Sequence, residues 1–169
     1  MITERRIAED LESNNGPAGY EIGCLSPLGP LRIAGSDSAV WRVEFGQTPA
    51  IHQPAPVPEV LRLCSLQLAE YFEGARRTFD LPLAPQGTDF QKRVWERLLG
   101  IQYGVTVSYR EIAEDMGNSR SARAVGSANA RNPVSIIIPC HRVVGSGGGL
   151  VGYGGGLWRK QWLLNHERG

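Results

Sequence analysis

The chain has 169 residues, 41% hydrophobic and 21% charged, with a formal net charge of +1. That length suffices for one domain with a sizeable core or for two small ones, and the composition is ordinary for a soluble globular protein. No apolar run approaches the roughly 20 residues that span a bilayer, and the charged start MITERRIAEDLESNNG lacks the apolar centre of a signal peptide, so a cytoplasmic protein without a membrane partner is expected.

In chain order, residues 1–17 are polar and end in Asn-Asn-Gly-Pro, which reads as a loose or helical start. YEIGCLSPLGPLRIAGSDSAVWRVEFG then alternates apolar stretches with turns at 26–30 and 35–38, the pattern of a small antiparallel sheet of about three strands. QTPAIHQPAPVP is a proline-rich connection, and VPEVLRLCSLQLAEYFEG is amphipathic at helical period and closes with Gly74. FDLPLAPQG is a second Pro/Gly-bearing linker and marks a domain boundary, giving units 1–84 and 85–169.

Beyond the linker the helix signals sharpen. Thr88 to Gln91 fits a capping box opening FQKRVWERLLG, and Ser108 to Glu111 fits another opening YREIAEDMG. Gly117 stops that helix, Asn118-Ser119 caps RSARAVGSANARN, and the pair reads as a helix-turn-helix or as a plain helical hairpin. After Asn132-Pro133 comes a strand-like VSIII, then Pro139-Cys140-His141-Arg142, the glycine-rich loop GSGGGLVGYGGG and a last helix, LWRKQWLLNHE. The fold class is α+β: a small sheet-plus-helix unit followed by a mainly helical one. Residues 85–169 carry 11 Lys/Arg against 6 Asp/Glu, a net of +5, while residues 1–84 carry 7 against 11, a net of −4. The asymmetry points to a polyanion partner for the second half, or to no more than a solvated basic face.

Cys24, Cys64 and Cys140 form no C-x-x-C pair, and His52, His141 and His166 show no ligand spacing with them. Neither a disulfide framework nor a metal is expected. Cys24 and Cys64 read as inert core. Cys140 and His141 differ. As sequence neighbours their side chains diverge, so a direct thiol–imidazole bond is awkward and a bridging water is easier. A thiolate is the nucleophile, and an imidazole is a suitable base for its proton, better still with a carboxylate on the other ring nitrogen. Glu167 closes such a relay if the last helix packs back on the turn. Taken in isolation, the pair also reads as a small buried hydrophobe beside a satisfied core histidine, and Glu167 as a solvated side chain. The glycine-rich loop lacks the signatures of a P-loop or a dinucleotide site and fits the wall of a pocket near Cys140. Ala122, Ala124, Gly126, Ser127 and Ala128 give the second helix of the pair a small surface able to approach another surface closely, with Arg123 its one long side chain.

PCHRVVGSGG, preceded by SARAVGSANARNPV and followed by GYGGGLWRKQWLLNHE, closely resembles the O6-alkylguanine-DNA alkyltransferases. The resemblance runs from about Gly87 to Glu167, whereas the first half is similar to the family's variable N-terminal domain only in its coarse pattern. It implies irreversible, single-turnover transfer of an alkyl group from guanine O6 in duplex DNA to Cys140 after base flipping, with O4-alkylthymine left open as a further substrate. It also implies His141 as water-mediated base, Glu167 as its partner, Tyr109 as a proton donor toward guanine N3 and Asn132 as a hinge between helix and cysteine turn. Arg123 matches the residue that replaces the flipped nucleotide. Ser108, Ala122, Ala124, Gly126, Ser127, Ala128 and Arg131 would meet DNA, while Tyr109, Val143, Val144, Tyr153, Gly154 and Gly155 would line the pocket. The expected partner is double-stranded DNA carrying the lesion, met by a monomer, with cooperativity along DNA left open and no cofactor. At Gly154 better-known animal members carry serine, so only a backbone amide is offered there. The zinc ligands of some members find no counterpart here. Two rival readings differ in outcome: a non-catalytic lesion-binding sensor predicts binding without an adduct, and a cysteine hydrolase predicts turnover.

Overall fold

The computed structural model describes residues 3–7, 19–46 and 56–169. They belong to two compact units, Met1–Pro85 and Gln86–Gly169. The first unit is an antiparallel meander of β1 (Thr3–Ile7), β2 (Gly19–Ser26), β3 (Gly29–Gly35) and β4 (Val40–Phe45), in that order, with helix α1 (Glu59–Phe72) packed on it. The three expected strands are β2 to β4. The fourth comes from the segment read as loose or helical, since Thr3–Ile7 pairs with β2 from Thr3↔Gly23 to Ile7↔Gly19. A short, charged sequence such as TERRI suits an edge strand, where unpaired backbone must not invite further pairing. Residues 1–2, 8–18 and 47–55, which include most of the proline-rich connection and His52, lie outside the described residues.

Local chemistry explains the turns of this unit. Ser26 Oγ donates to the Gly29 carbonyl at 2.6 Å and accepts from the Leu28 amide at 3.2 Å, which closes the hairpin between β2 and β3. At the bulge that ends β3, a Cβ on Gly35 would stand 2.3 Å from the Ala39 carbonyl oxygen, so only glycine lets the chain return. The core beneath joins Ile22, Leu31, Ile33 and Val43 of the sheet to Leu61, Cys64, Leu68 and Tyr71 of α1. The linker is anchored, not loose. Gln67 bonds both the amide and the carbonyl of Asp80 at 2.9 Å, and Val40 exchanges backbone bonds with Pro82 and Ala84.

The second unit comprises α2 (Asp89–Leu99), β5 (Val107–Ser108), α3 (Tyr109–Asp115), a one-turn 3-10 helix (Ser119–Ser121) and α4 (Ala122–Ala130). A second 3-10 turn (Cys140–Arg142), β6 (Val143–Val144) and α5 (Leu157–Arg168) complete it. Both capping boxes form with reciprocal side-chain and backbone bonds. Gly117 stops α3 at a φ of 81°, and Asn118 Oδ1 accepts from the Arg120 amide to open the next turn. Helices α3 and α4 thus form the helix-turn-helix, with α2 packed on α4.

The segment VSIII is not a strand. Ile136 has a φ of 74°, and the Ile137 amide donates to the Ser135 carbonyl at 2.9 Å, the bond pattern of a γ-turn of the rare, strained hand. Pro139, at φ −82° and ψ 60°, centres an inverse γ-turn closed by the Cys140 amide on the Ile138 carbonyl at 2.8 Å. Burial of Val134, Ile136 and Ile138 holds this folded segment in place of an extended one. Immediately after it, β6 pairs in parallel with β5, Val107 with Val143 and Ser108 with Val144.

Candidate active site

The pairing of β5 with β6 sets the site. It draws Ser108 and the first residue of α3, Tyr109, beside the strand that leaves the Cys-His-Arg turn. From the other side, α4 carries Asn129 in its last turn and is followed by Asn132. Asn129 Nδ2 donates to the Cys140 carbonyl at 3.3 Å. Asn132 Nδ2 donates to the Ile138 carbonyl at 2.8 Å and lies 3.1 Å from Cys140 Sγ, while its Oδ1 accepts from the Val134 amide at 3.0 Å. One side chain therefore joins the end of α4, the γ-turns and the thiol.

Cys140 is 4% exposed. Burial raises its pKa, and the Asn132 hydrogen bond and the Lys160 charge work against that rise. The thiol thus rests protonated and needs a base. His141, wholly buried, bonds Glu167 through Nε2 at 2.8 Å, and its Nδ1 has no hydrogen-bond partner among the described residues. Burial holds the imidazole below its ordinary pKa, against the pull of Glu167. Burial alone would raise Glu167, but the hydrogen bonds and charges of His141 and Arg142 keep its carboxyl far below the usual range. An ionised carboxylate only accepts, so Nε2 carries the hydrogen and Nδ1 is left an acceptor.

The glycine-rich loop lies over this group. Tyr109 Oη donates to the Val151 carbonyl at 3.1 Å, and Lys160 Nζ donates to the same carbonyl at 2.8 Å and to Val143 at 2.6 Å. Burial raises the phenolic pKa of Tyr109, helped by Cys140, and raises that of Tyr153 further. Gly155 offers its carbonyl to Arg159 at 2.7 Å, and Gly154 is exposed.

On α4, Arg123, Ala124 and Ser127 are exposed, Ala122 and Gly126 partly so, and Arg131 just beyond the helix is exposed and bonds Ser127. Ala128 departs from the outward surface expected of it. At 2% exposure it faces the core with Val125 and Asn129, and its carbonyl accepts from Trp95 Nε1 at 2.9 Å. Val143 and Val144 are likewise buried strand residues, and Val143 serves the site through its carbonyl. Sequence reasoning missed Arg142, Lys160, Asn129 and Gly104. The Arg142 guanidinium donates to both Glu167 oxygens, and the Gly104 amide donates to Oε2 at 3.1 Å. Gly104 has a φ of 75°, and a Cβ there would stand 2.9 Å from the Glu167 carbonyl oxygen. The signal available for Arg142 was its place inside the Cys-His-Arg turn, between residues that read as core.

A thiol next to a buried imidazole that bonds a carboxylate, in the same unit as a helix-turn-helix, is an arrangement able to supply a cysteine nucleophile beside an element suited to nucleic acid. Comparison with known proteins agrees. The family model for the 6-O-methylguanine DNA methyltransferase DNA-binding domain matches residues 89–169, and that for the ribonuclease-like domain of the same proteins matches residues 23–85. A methylated-DNA–protein-cysteine methyltransferase of Methanosarcina barkeri is 49% identical over 84% of this chain and 92% of its own. One of Mycobacterium bovis is 47% identical over 85% and 88%. Among solved structures, Mycobacterium tuberculosis OGT in complex with DNA superposes with a TM-score of 0.78 at 46% identity, covering 86% of this chain and 91% of that one. The Mycobacterium tuberculosis O6-methylguanine methyltransferase gives 0.76 at 41%, covering 99% and 93%. The chain belongs to the 6-O-methylguanine DNA methyltransferase family.

Proposed function

We propose that this chain repairs duplex DNA by taking the alkyl group of O6-alkylguanine onto Cys140, irreversibly and once per molecule. The observation that carries the reading is the thiol of Cys140 on the same tight turn as the buried His141, whose ring bonds Glu167 of α5, with Asn132 Nδ2 3.1 Å from the sulfur.

A guanine O6 inside a duplex is out of reach of a buried thiol, so the base must first be flipped, at a cost of a few kcal/mol. Arg123, exposed on α4, enters the stack and offsets part of that cost. Ala124, Gly126, Ser127 and Arg131 then approach backbone and groove without a sequence code, as repair anywhere in a genome requires. The thiol proton passes through a water to His141 Nδ1. The thiolate attacks the alkyl carbon, the S–C bond forms and the C–O6 bond breaks, and the electron pair leaves with guanine. Tyr109 gives the departing base a proton at N3, and the imidazolium proton returns to the phenolate. The thiol proton is thereby exchanged for the alkyl group, and guanine is restored. O4-alkylthymine presents the same kind of carbon–oxygen bond and is a candidate substrate. The thioether formed has no acidic proton and no leaving group that water displaces, so the protein is spent.

The test is to incubate the protein with a duplex containing O6-methylguanine, weigh the intact chain and map its peptides. One methyl group on Cys140 is expected. Cys140→Ser should bind the lesion and gain nothing. Lesion binding by the unaltered protein with no mass gain would mean a sensor, and a regenerated thiol would mean a hydrolase.

A further inference from the structure

Glu167 is more fully bound than a base-orienting carboxylate requires. Beyond His141 Nε2, it accepts from Arg142 Nε at 2.8 Å, from Arg142 Nη2 at 2.9 Å and from the Gly104 amide at 3.1 Å. Arg142 is 6% exposed. Its Nη1 donates to the Ile101 carbonyl at 2.6 Å, and its guanidinium lies 5.8 Å from the Tyr103 ring centroid. A histidine–carboxylate pair alone in a buried site favours a charged imidazolium, because an unmatched buried anion is costly. Here the anion is already matched by a guanidinium held in a two-pronged fork. The other groups facing His141 are Lys160 of α5, whose charge also opposes protonation, and Cys140 beside it, to which Tyr109 and Tyr153 couple.

We propose that Arg142 is a positioning residue that neutralises Glu167 and fixes its plane, so that His141 rests as an uncharged imidazole with its hydrogen on Nε2 and its Nδ1 lone pair free. Only an unprotonated ring can take the thiol proton, so this keeps the base ready near neutral pH. The kinetic consequence rests on the alkyl-transfer reading above, and the state of the ring does not. Removing Arg142 takes from Glu167 the guanidinium that matches its charge and leaves the His141 ring facing the carboxylate, and an opposite charge at that range raises a pKa by about one unit or more.

The experiment follows the His141 ring nitrogens by NMR against pH in the unaltered protein and in Arg142→Gln, beside single-turnover transfer from an O6-methylguanine duplex. The expected result is a neutral ring at pH 7 with the hydrogen on Nε2. In Arg142→Gln the ring's titration midpoint rises by about one pH unit or more, and the acid limb of the transfer rate moves up with it. A folded Arg142→Gln protein whose midpoint does not move overturns the proposal, as does an unaltered protein with a doubly protonated ring at pH 7. Should Arg142→Gln not fold, Arg142→Lys decides. It keeps the charge, so the midpoint should hold, and a rise of about one unit overturns the proposal. A ring that behaves as expected in a protein that transfers no methyl group refutes the alkyl-transfer reading and leaves the role of Arg142 standing.

Discussion

Burial keeps the proton on Cys140, so its neighbours decide whether the thiol reacts. Among the described residues Asn132 supplies its one side-chain hydrogen bond, at 3.1 Å. Asn132→Ala should cost about 1–3 kcal/mol of stability, because the Ile138 carbonyl and the Val134 amide lose their partner as well. Reaction of Cys140 with iodoacetamide should slow, and an unchanged melting temperature and alkylation rate would refute this. The pH dependence of stability follows from two side chains with the same sign. His141 is depressed from 6.5 and Glu167 from 4.5, so below each of these values the unfolded chain binds protons that the native state does not. Their contribution is complete above pH 6.5 and is lost as pH falls, first through His141 and then, below 4.5, through Glu167. The melting temperature should therefore drop between pH 7 and pH 5, and His141→Gln should flatten that slope. An equal slope in the variant would assign the loss elsewhere. At this scale Cys140, His141 and Glu167 were legible as a candidate group from their chemistry and Tyr109 from the family resemblance, whereas Arg142 and Lys160 were not. A lysine or arginine reads as solvated in a sequence, and only the fold shows that it is enclosed with carbonyls and a carboxylate.

Short elements carry the precision of the site. Ser108 is both a residue of the two-residue strand β5 and the cap of α3, and Tyr109 follows it directly. Ser108→Ala should cost about 1 kcal/mol through the lost cap. If the cap also aims the phenol, transfer should slow by more than the folded fraction accounts for, and a rate that follows stability alone would show the cap to be merely structural. The helices were readable because caps, glycine stops and apolar period are local signals. The outward surface expected of Ala128 is an error, although Val125, Ala128 and Asn129 at i, i+3 and i+4 carry the signal of an inward face. The γ-turns were not readable. Three consecutive isoleucines have strand propensity, and a β-branched residue at φ 74° is held there by tertiary burial, which no local pattern encodes. The parallel pair β5–β6 escaped notice because two residues are too few for an alternation.

At the scale of the whole chain, the basic second half and the acidic first half divide where the units do, near Pro85. If the second unit meets the phosphates, affinity for DNA should fall steeply as salt rises, and Arg123→Ala should lower transfer from a paired lesion more than from the same lesion in a single strand, where no stack needs filling. Equal losses on both substrates would remove Arg123 from the stack. Among the described residues no helix is long and apolar enough to cross a membrane. The organisation into a sheet-plus-helix unit and a helical unit was legible from linker composition and the change of period. The fourth strand was not, because a polar edge strand has the composition of a loop.

The Cys-His-Arg turn and the glycine-rich loop differ in how tightly they are held. At the turn the Ile137 and Cys140 amides close γ-turns and Asn129 and Asn132 hold the flanking carbonyls, so the backbone has no slack to yield. In the glycine-rich loop Gly147, Gly148, Gly149 and Gly152 have nothing within 4 Å of where a side chain would begin. If Cys140 takes up the alkyl group beside this loop, room for a group larger than methyl comes from the loop, since the turn is pinned. On that reading the compliance of the loop sets the breadth of lesions cleared: alanine at Gly147 and Gly149 should narrow the range while leaving methyl transfer nearly as fast, and an unchanged range would refute it.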